Sequence, residues 1–145
     1  MIRIRAGRPQ DLPRLFEIWR RAVDATHGFV SPQHLEIIGT QVREQYLPGA
    51  VLHVAVDDND FPLGFMGTST GTIDSLFVDP AHHSRGIGRS LVEQAISAGR
   101  AVAVDVNEQN LGAQKFYERL GFEVVGRSEL DGSGMPYPLL HLRKL

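Results

Sequence analysis

The sequence predicts an α/β (α+β) fold in which seven strands and four helices follow one another in the order βααβββαβαββ. Short runs with apolar residues at every second position, or with continuous β-branched residues, indicate strands, whereas longer runs with apolar residues three and four apart indicate amphipathic helices. Clusters of Gly, Pro, Asp and Ser separate these runs. The 145 residues are 42% apolar and show no repeat or linker, so we expect a single domain over residues 1–145.

The first half of the chain reads as one strand, two helices and three further strands. In order, these are the strand MIRIR, a helix from residue 12 to about residue 25, a less regular helix over 32–46 that Pro48 and Gly49 end, and strands over 51–56, 62–69 and 73–78. Leu15, Trp19 and Val23 lie at helical spacing, which places an apolar stripe on the first helix. The acidic turn 57–60 joins two apolar runs, which predicts an antiparallel hairpin.

The second half alternates helices and strands. In order, a helix over 90–99 ends at Gly99, a strand covers AVAVDV (101–106), a helix over 110–122 closes at Gly121, and strands follow over 123–130 and 137–145. Pro138 has no amide hydrogen to donate to a sheet, so it favours an edge position or an irregular start for the last strand. An edge position for that strand would permit a homodimer.

Composition excludes several classes of partner and site. The net charge of -2, with scattered Lys and Arg, argues against a nucleic-acid partner. The chain has no cysteine, which excludes disulfides, thiolate metal ligands and a cysteine nucleophile. No apolar stretch approaches the roughly 18 residues that a membrane span requires, and the adjacent His82 and His83 have no carboxylate at ligand spacing. We therefore expect a cytoplasmic protein with no membrane, nucleic-acid or metal partner.

A glycine-rich turn, HSRGIG (83–88), precedes the helix over 90–99. The first amides of a helix have no partner in the helix, so such a turn is suited to bind an anion, above all a phosphate. A dinucleotide-binding fingerprint would carry a glycine where Leu91 stands, and a P-loop would carry Lys and then Ser or Thr directly after Gly88. Both nucleotide patterns are therefore excluded, and the alternative is that the glycines only permit a tight turn.

A second block, NEQNLGAQKFYERLGF (107–122), follows the next strand and completes a pattern. Together with IDSLFVDPAHHSRGIGRSLVEQA it resembles the GNAT superfamily of N-acetyltransferases, whose turn reads Gln or Arg, two residues, Gly, one residue, then Gly or Ala. The family spacing in the second block is carried by Asn110, Ala113, Phe116, Tyr117, Gly121 and Phe122. The segments ATHGF, NEQN and GRSELDGSGMPYPLL further resemble a bacterial branch of the superfamily. His83 is a departure, because it stands where the family has Gln or Arg.

The resemblance implies a mixed, mostly antiparallel central sheet flanked by helices, acetyl-CoA as co-substrate, and a small-molecule or peptide amine as acceptor. The turn amides would hold the pyrophosphate, the edge of the strand over 76–78 would pair with the pantetheine arm, and the Leu76 amide would stabilise the oxyanion. Asn110 would contact the pantetheine arm, or serve only as a helix N-cap. The cofactor-binding residues implied are Leu76, Phe77, Val78, His83, Ser84, Arg85, Gly86, Ile87, Gly88, Arg89 and Asn110.

Three residues are candidates for proton transfer. Tyr117 stands where the family commonly has a tyrosine that protonates the leaving thiolate, although one of the adjacent aromatics Phe116 and Tyr117 could simply pack inward. Asp74 lies two residues before Leu76, hence on the same face of a regular strand, and is the first candidate for general base; the alternatives are a solvated carboxylate or an acceptor anchor. His27 is the second candidate, and its alternative is a helix-terminal His stabilised by the helix dipole.

The absence of cysteine removes the obvious covalent carrier, so we expect the amine to attack acetyl-CoA directly in a ternary complex. Trp19, Phe29, Met66 and Tyr137 could line the acceptor pocket or belong to the core. The alternative function is a CoA-binding sensor or interaction protein without turnover.

Overall fold

The computed structural model describes residues 2–83, 85–99 and 101–144 and places seven strands in one sheet, in the order β1-β2-β3-β4-β5-β7-β6. The strands are β1 (Arg3–Ala6), β2 (Val51–Val56), β3 (Pro62–Ser69), β4 (Thr72–Val78), β5 (Ala103–Asn107), β6 (Phe122–Ser128) and β7 (Leu139–Lys144). The helices are α1 (Leu12–Thr26), α2 (Pro32–Gln41), α3 (Leu47–Gly49), α4 (Ile87–Ser97) and α5 (Leu111–Arg119). A π-helical turn, Val42–Tyr46, links α2 to α3, which explains the irregular second helix of the prediction. The predicted fold class and element order are confirmed.

Two apolar clusters cover opposite faces of the sheet. Successive residues of β3 show this, because Phe65 belongs to the cluster under α1 and Met66 to the cluster under α4. We call these sides the α1 face and the α4 face. The α1 face is filled by the predicted stripe of α1, and the α4 face by apolar side chains of α4 and α5. Trp19 and Met66 are core residues of these clusters, so their predicted alternative role as pocket lining is wrong.

The sheet divides between β4 and β5, which are the one parallel pair of neighbouring strands among the described residues. These strands pair only at Thr72 with Ala103 and at Ile73 with Val104. Beyond that point β4 continues to pair with β3, and β5 with β7, but not with each other. The end of β4 therefore presents a strand edge to an internal cleft, which we call the β4–β5 cleft.

A bulge in β4 changes the direction of its side chains. Gly67 pairs with Ser75 and Thr68 with Ile73, which leaves Asp74 without a partner. Ile73 and Leu76 both pack on the α4 face although they lie three residues apart, which a regular strand does not permit. The alternation that we used to place Asp74 on the face of Leu76 therefore does not hold.

The last strand is internal. β7 lies between β5 and β6, and it begins at Leu139, directly after Pro138. The prediction of an edge position is therefore wrong, and Pro138 instead precedes the ladder, where its missing amide hydrogen costs nothing. β6 takes the edge position, so the predicted basis for a homodimer is lost. Among the described residues, no helix is long and apolar enough to cross a bilayer, and no group of three potential metal ligands occurs.

Candidate active site

The glycine turn connects the end of β4 to the start of α4, and its two glycines have different reasons to be glycine. Gly86 is the N-cap of α4 and has a φ of 74°, in the left-handed region that favours glycine. Gly88 lies inside the helix, where a Cβ would approach the Phe116 ring of α5 to 3.4 Å. Ile87, between them, is buried in the core and fixes the turn. The free amides of the first helical turn are thus held at the mouth of the cleft.

Two arginines, Arg85 and Arg89, flank the glycines of this turn. Arg85 is exposed, and Arg89, whose side chain is 69% exposed, forms an ion pair with Glu93 one helical turn later. His83, which replaces the family's Gln or Arg, is also exposed. Ser84, the remaining predicted turn residue, lies outside the described residues. The described side chains can therefore supply charge to an anion that the backbone amides hold.

Asp79 anchors the turn to the rest of the molecule, and the sequence analysis missed it. Its carboxylate is 1% exposed and accepts hydrogen bonds from the Ala81 amide at 3.0 Å and from Arg14 and Arg21 of α1 at 2.7 and 3.3 Å. Burial alone would raise the pKa of Asp79, but these donors outweigh it and the pKa lies below its usual range. The Asp-Pro pair directly after a strand was the available signal, since Asp79 caps the 3-10 turn Pro80–His82.

The two walls of the β4–β5 cleft carry further predicted cofactor residues. Leu76 and Val78 pack toward the α4 face, while Phe77 turns to the α1 face and lies 5.8 Å from Phe65, measured between ring centroids. Asn110 caps α5, since its Oδ1 accepts the Ala113 amide at 3.1 Å. Its amide NH2 group makes no hydrogen bond to a described residue. The predicted N-cap role is therefore present, and it leaves a donor for a ligand in the cleft.

Tyr117 lies on the α4 face, next to this cleft wall. Its side chain is 4% exposed and makes edge-to-face contacts with Phe116 and Phe122, at ring-centroid distances of 5.0 and 5.4 Å. Burial raises the pKa of Tyr117 well above its ordinary value. Its hydroxyl makes no hydrogen bond to a described residue. The ring thus packs inward, as one of the two alternatives predicts, and the role of the phenol as general acid stays a prediction.

Asp74 borders a depression of about 750 Å³ at the end of the sheet where β3 turns into β4. Its carboxylate is exposed and accepts a hydrogen bond from Ser69 Oγ at 2.9 Å. Across the depression, Tyr46 Oη lies 2.7 Å from Ser75 Oγ. Burial raises the pKa of Tyr46, and the negative charge of Asp74 raises it further. No described contact joins Asp74 to Tyr117.

His27 ends α1, and its Nδ1 lies 2.7 Å from Thr26 Oγ1. Burial lowers the pKa of His27, so its ring is neutral at neutral pH. The ring borders a cavity of about 260 Å³ between α1 and α2 and lies 5.2 Å from the Phe29 ring. Of the two proton-acceptor candidates, His27 is the one inside an aromatic environment.

A cluster that includes two of the predicted pocket residues continues from this ring. Phe29 lies 6.2 Å from Tyr137, measured between ring centroids, and the Tyr137 hydroxyl is hydrogen-bonded to His34 Nδ1 and accepts the Ser31 amide at 3.1 Å. The cluster thus ties the α1–α2 loop to the segment before β7. Sequence analysis missed His34, because it has no distinguishing neighbour in the sequence and its partner is 103 positions away.

Comparisons with known proteins agree with this architecture. A model of the acetyltransferase (GNAT) domain matches residues 23–137. The chain is 46% identical to the peptidyl-lysine N-acetyltransferase YjaB of Salmonella typhimurium over 142 residues, which cover 98% of this chain and 97% of that protein. The solution structure of apo YjaB from Escherichia coli superimposes with a TM-score of 0.93 at 46% identity and covers 100% of this chain and 98% of the other.

A coenzyme A complex of the PaiA N-acetyltransferase from Thermoplasma acidophilum shares the fold, with a TM-score of 0.80 at 20% identity over 100% of this chain and 99% of that one. The matched family domain confirms the resemblance stated from the two sequence blocks, and the YjaB relatives identify the bacterial branch that ATHGF, NEQN and GRSELDGSGMPYPLL indicated. An internal strand edge, a glycine turn at a helix start and a buried phenol beside them therefore have a common explanation: the chain belongs to the GNAT family and is an N-acetyltransferase that takes its acetyl group from acetyl-CoA.

Proposed function

We propose that the enzyme acetylates the side-chain amine of lysine in a peptide or protein, by direct attack of that amine on acetyl-CoA in a ternary complex. The acceptor class rests on the YjaB relatives, which are named peptidyl-lysine N-acetyltransferases and match nearly the whole chain. The mechanism rests above all on the separation of β4 from β5 directly beside the glycine turn. The absence of cysteine supports direct transfer.

The donor would be held along the cleft. The amides of residues 85–89 at the start of α4 bind the pyrophosphate, assisted by the positive charges of Arg85 and Arg89. The pantetheine arm pairs with the unpaired edge of residues 76–78 as an added strand does. The NH2 group of Asn110 reaches it from the opposite wall. The Leu76 amide donates to the thioester oxygen and stabilises the negative charge that forms there.

Tyr117 would act as the general acid. The amine nitrogen attacks the thioester carbon, and the tetrahedral intermediate collapses when its carbon–sulfur bond breaks. The leaving thiolate then takes a proton from the phenol, which is protonated at neutral pH. The phenol regains a proton from solvent after CoA leaves.

Removal of the proton from the amine has two candidates, which differ in their surroundings. Asp74 is an exposed carboxylate at the bulge of β4, whereas His27 is a neutral imidazole beside the aromatic cluster of Phe29 and Tyr137. A base near the acceptor must be unprotonated at neutral pH, and the lowered pKa of His27 meets that requirement. Asp74 and His27 both remain candidates. Asp74 lies on the same strand as Leu76, two residues before it, whereas His27 lies at the end of α1.

The test measures thiol release from acetyl-CoA with a lysine-containing peptide, with the same peptide carrying Nε-acetyl-lysine, and with a free polyamine. Release with the lysine peptide alone supports the proposal. Release with the polyamine alone would move the acceptor to small amines, and acetyl-CoA binding without release from any amine would favour the sensor. A single domain over residues 1–145, the cytoplasmic location and a homodimer remain predictions.

A further inference from the structure

Away from the cleft, three side chains on three adjacent strands form a continuous chain of hydrogen bonds. The ring of His141 on β7 is engaged at both nitrogens. Its Nδ1 lies 2.6 Å from Asp105 Oδ1 on β5, and its Nε2 lies 2.7 Å from Ser128 Oγ on β6. None of these residues belongs to the acetyl-CoA site described above.

The partners of His141 fix the direction of the hydrogen bonds. A carboxylate can only accept, so the neutral ring carries its hydrogen on Nδ1 and donates it to Asp105. The lone pair of Nε2 is then left to accept the hydroxyl hydrogen of Ser128. This is the polarity of a serine nucleophile with its general base and the carboxylate that orients the base.

The strand register holds the three groups in place. Asp105 pairs with His141, and His141 pairs with Gly126, so these positions form one row across the sheet. Ser128 lies two residues further along β6, opposite Leu139, and therefore on the same face as Gly126. A Cβ at Gly126 would lie 3.3 Å from His141 Cδ2, so this glycine leaves room for the imidazole ring over β6. A sheet is a rigid support for such a site, in contrast to a loop.

The chain of hydrogen bonds is accessible and lies on the side of the sheet away from Tyr117. Val104 and Val106 point to the α4 face, so Asp105 between them points to the other face. The side chains of His141 and Asp105 are 35% and 52% exposed. Ser128 ends β6, the edge strand, whose outward amides have no partner strand. Such amides can donate to an oxyanion.

We propose that Ser128, His141 and Asp105 form a second catalytic site, which hydrolyses short-chain carboxylic esters. Ser128 Oγ attacks the ester carbonyl carbon while its proton passes to His141 Nε2, and the proton is then given to the leaving alcohol as the carbon–oxygen bond breaks. Water attacks the acyl-serine carbon and gives a proton to His141, which passes it to Ser128 Oγ as the acyl carbon–Oγ bond breaks and the carboxylic acid leaves. Leu139, which pairs with Ser128 and shares its face, provides apolar contact for a short acyl chain.

A fluorophosphonate probe and p-nitrophenyl acetate test the proposal on the full chain without CoA. We expect the probe to modify Ser128, as located by mass spectrometry of peptides from the unaltered protein. His141→Gln and Asp105→Asn should each slow the labelling and the ester hydrolysis, His141→Gln by about 100-fold. Ser133→Ala is the matched control, because Ser133 lies in the exposed segment before β7 and, among the described residues, its Oγ bonds only Gln41, at 3.5 Å.

Absence of label on Ser128 in the unaltered protein would overturn the proposal, and that result does not depend on any variant. Labelling or hydrolysis that persists at the wild-type rate in His141→Gln would also overturn it. Acetyl-CoA binding by each variant shows whether the fold is retained. Since the labelling and ester-hydrolysis assays contain no CoA and no amine, their outcome is independent of the acetyl transfer proposed above.

Discussion

Replacement of Gly86 by alanine tests whether the glycine turn holds the pyrophosphate of acetyl-CoA. No heavy atom of the described residues, apart from those of its chain neighbours, lies within 4 Å of the position that a Cβ would take at Gly86. The substitution therefore creates no clash, and its cost comes from the backbone, whose φ is 74°. A residue with a Cβ pays about 1–2 kcal/mol for the left-handed conformation.

The strain at residue 86 can lower either the stability of the protein or its affinity for acetyl-CoA. If the turn keeps its geometry, stability falls, and an unfolding entropy of about 2 cal/mol/K per residue converts 1–2 kcal/mol into a Tm decrease of ~3–7 °C. If the surface turn relaxes, a ligand that needs the original geometry must restore it, and 1–2 kcal/mol corresponds to a rise in Kd of about 5- to 30-fold. We expect the second effect to dominate, because no packing holds the new side chain in place.

Calorimetric titration with acetyl-CoA and thermal unfolding separate these effects. Gly134→Ala is the matched control, since Gly134 also has open space around it and a φ of 79°, but lies in the segment before β7. We expect this control to change Tm by a similar or larger amount and to leave the Kd for acetyl-CoA unchanged. A Kd for Gly86→Ala within about two-fold of the wild-type value together with an unchanged Tm, or an equal loss of affinity in both variants, would refute the assignment of the turn.

Four further predictions concern single side chains. Tyr117→Phe should lower kcat by about 100-fold with little change in acetyl-CoA affinity or Tm, because the hydroxyl has no described protein partner to lose; unchanged kcat would remove Tyr117 from the acid role. Asp74→Asn should flatten the rise of the rate with pH, and an unaltered pH profile would favour His27 or water as the base. Because the folded protein lowers the pKa of His27, the unfolded chain binds more protons below about pH 6.5, so stability should fall as the pH drops below that value. His27→Gln should reduce this fall, as measured by urea unfolding at several pH values. Asp79→Asn should lower the free energy of unfolding by about 3 kcal/mol, since the partly buried Arg14 loses its buried counter-charge and keeps only the exposed Glu17; a loss below about 1 kcal/mol would contradict the anchor role.

Periodicity predicted most of the fold because each element of this chain has a clear face. The stripe of α1 and the runs of β2 and β3 are examples, and their order was sufficient to place the glycine turn between a strand and a helix. The position of β7 was not predictable in this way, since residues 139–144 pair with β5 on one side and β6 on the other, and only tertiary pairing decides that insertion. Pro138 was compatible with an edge position or with an irregular start of the last strand, and the structure shows that it directly precedes an internal strand.

The site was predictable where a residue type is required by the backbone and not where a side chain is aimed by packing. The left-handed φ at residue 86 favours glycine, and the start of α5 favours a capping residue such as Asn110, so both could be found from local sequence. The direction of Asp74 depends on one extra residue in β4, which no pattern in TIDSLFV reveals. Asp79 depends on two arginines that lie 65 and 58 positions away, and its importance follows only from that contact.

The two sequence blocks that carried the family resemblance are in contact in the structure. A Cβ at Gly88 would lie 3.4 Å from Phe116 of α5 and 3.7 Å from Val78 at the end of β4. The start of α4, the middle of α5 and the last residue of β4 therefore meet at one point, directly beside the cleft. Because interiors are densely packed, a change in the size of any of these side chains displaces the others. Phe116 directly precedes Tyr117, so we expect a larger residue at position 88 to shift the glycine turn, the end of β4 and the orientation of Tyr117 together.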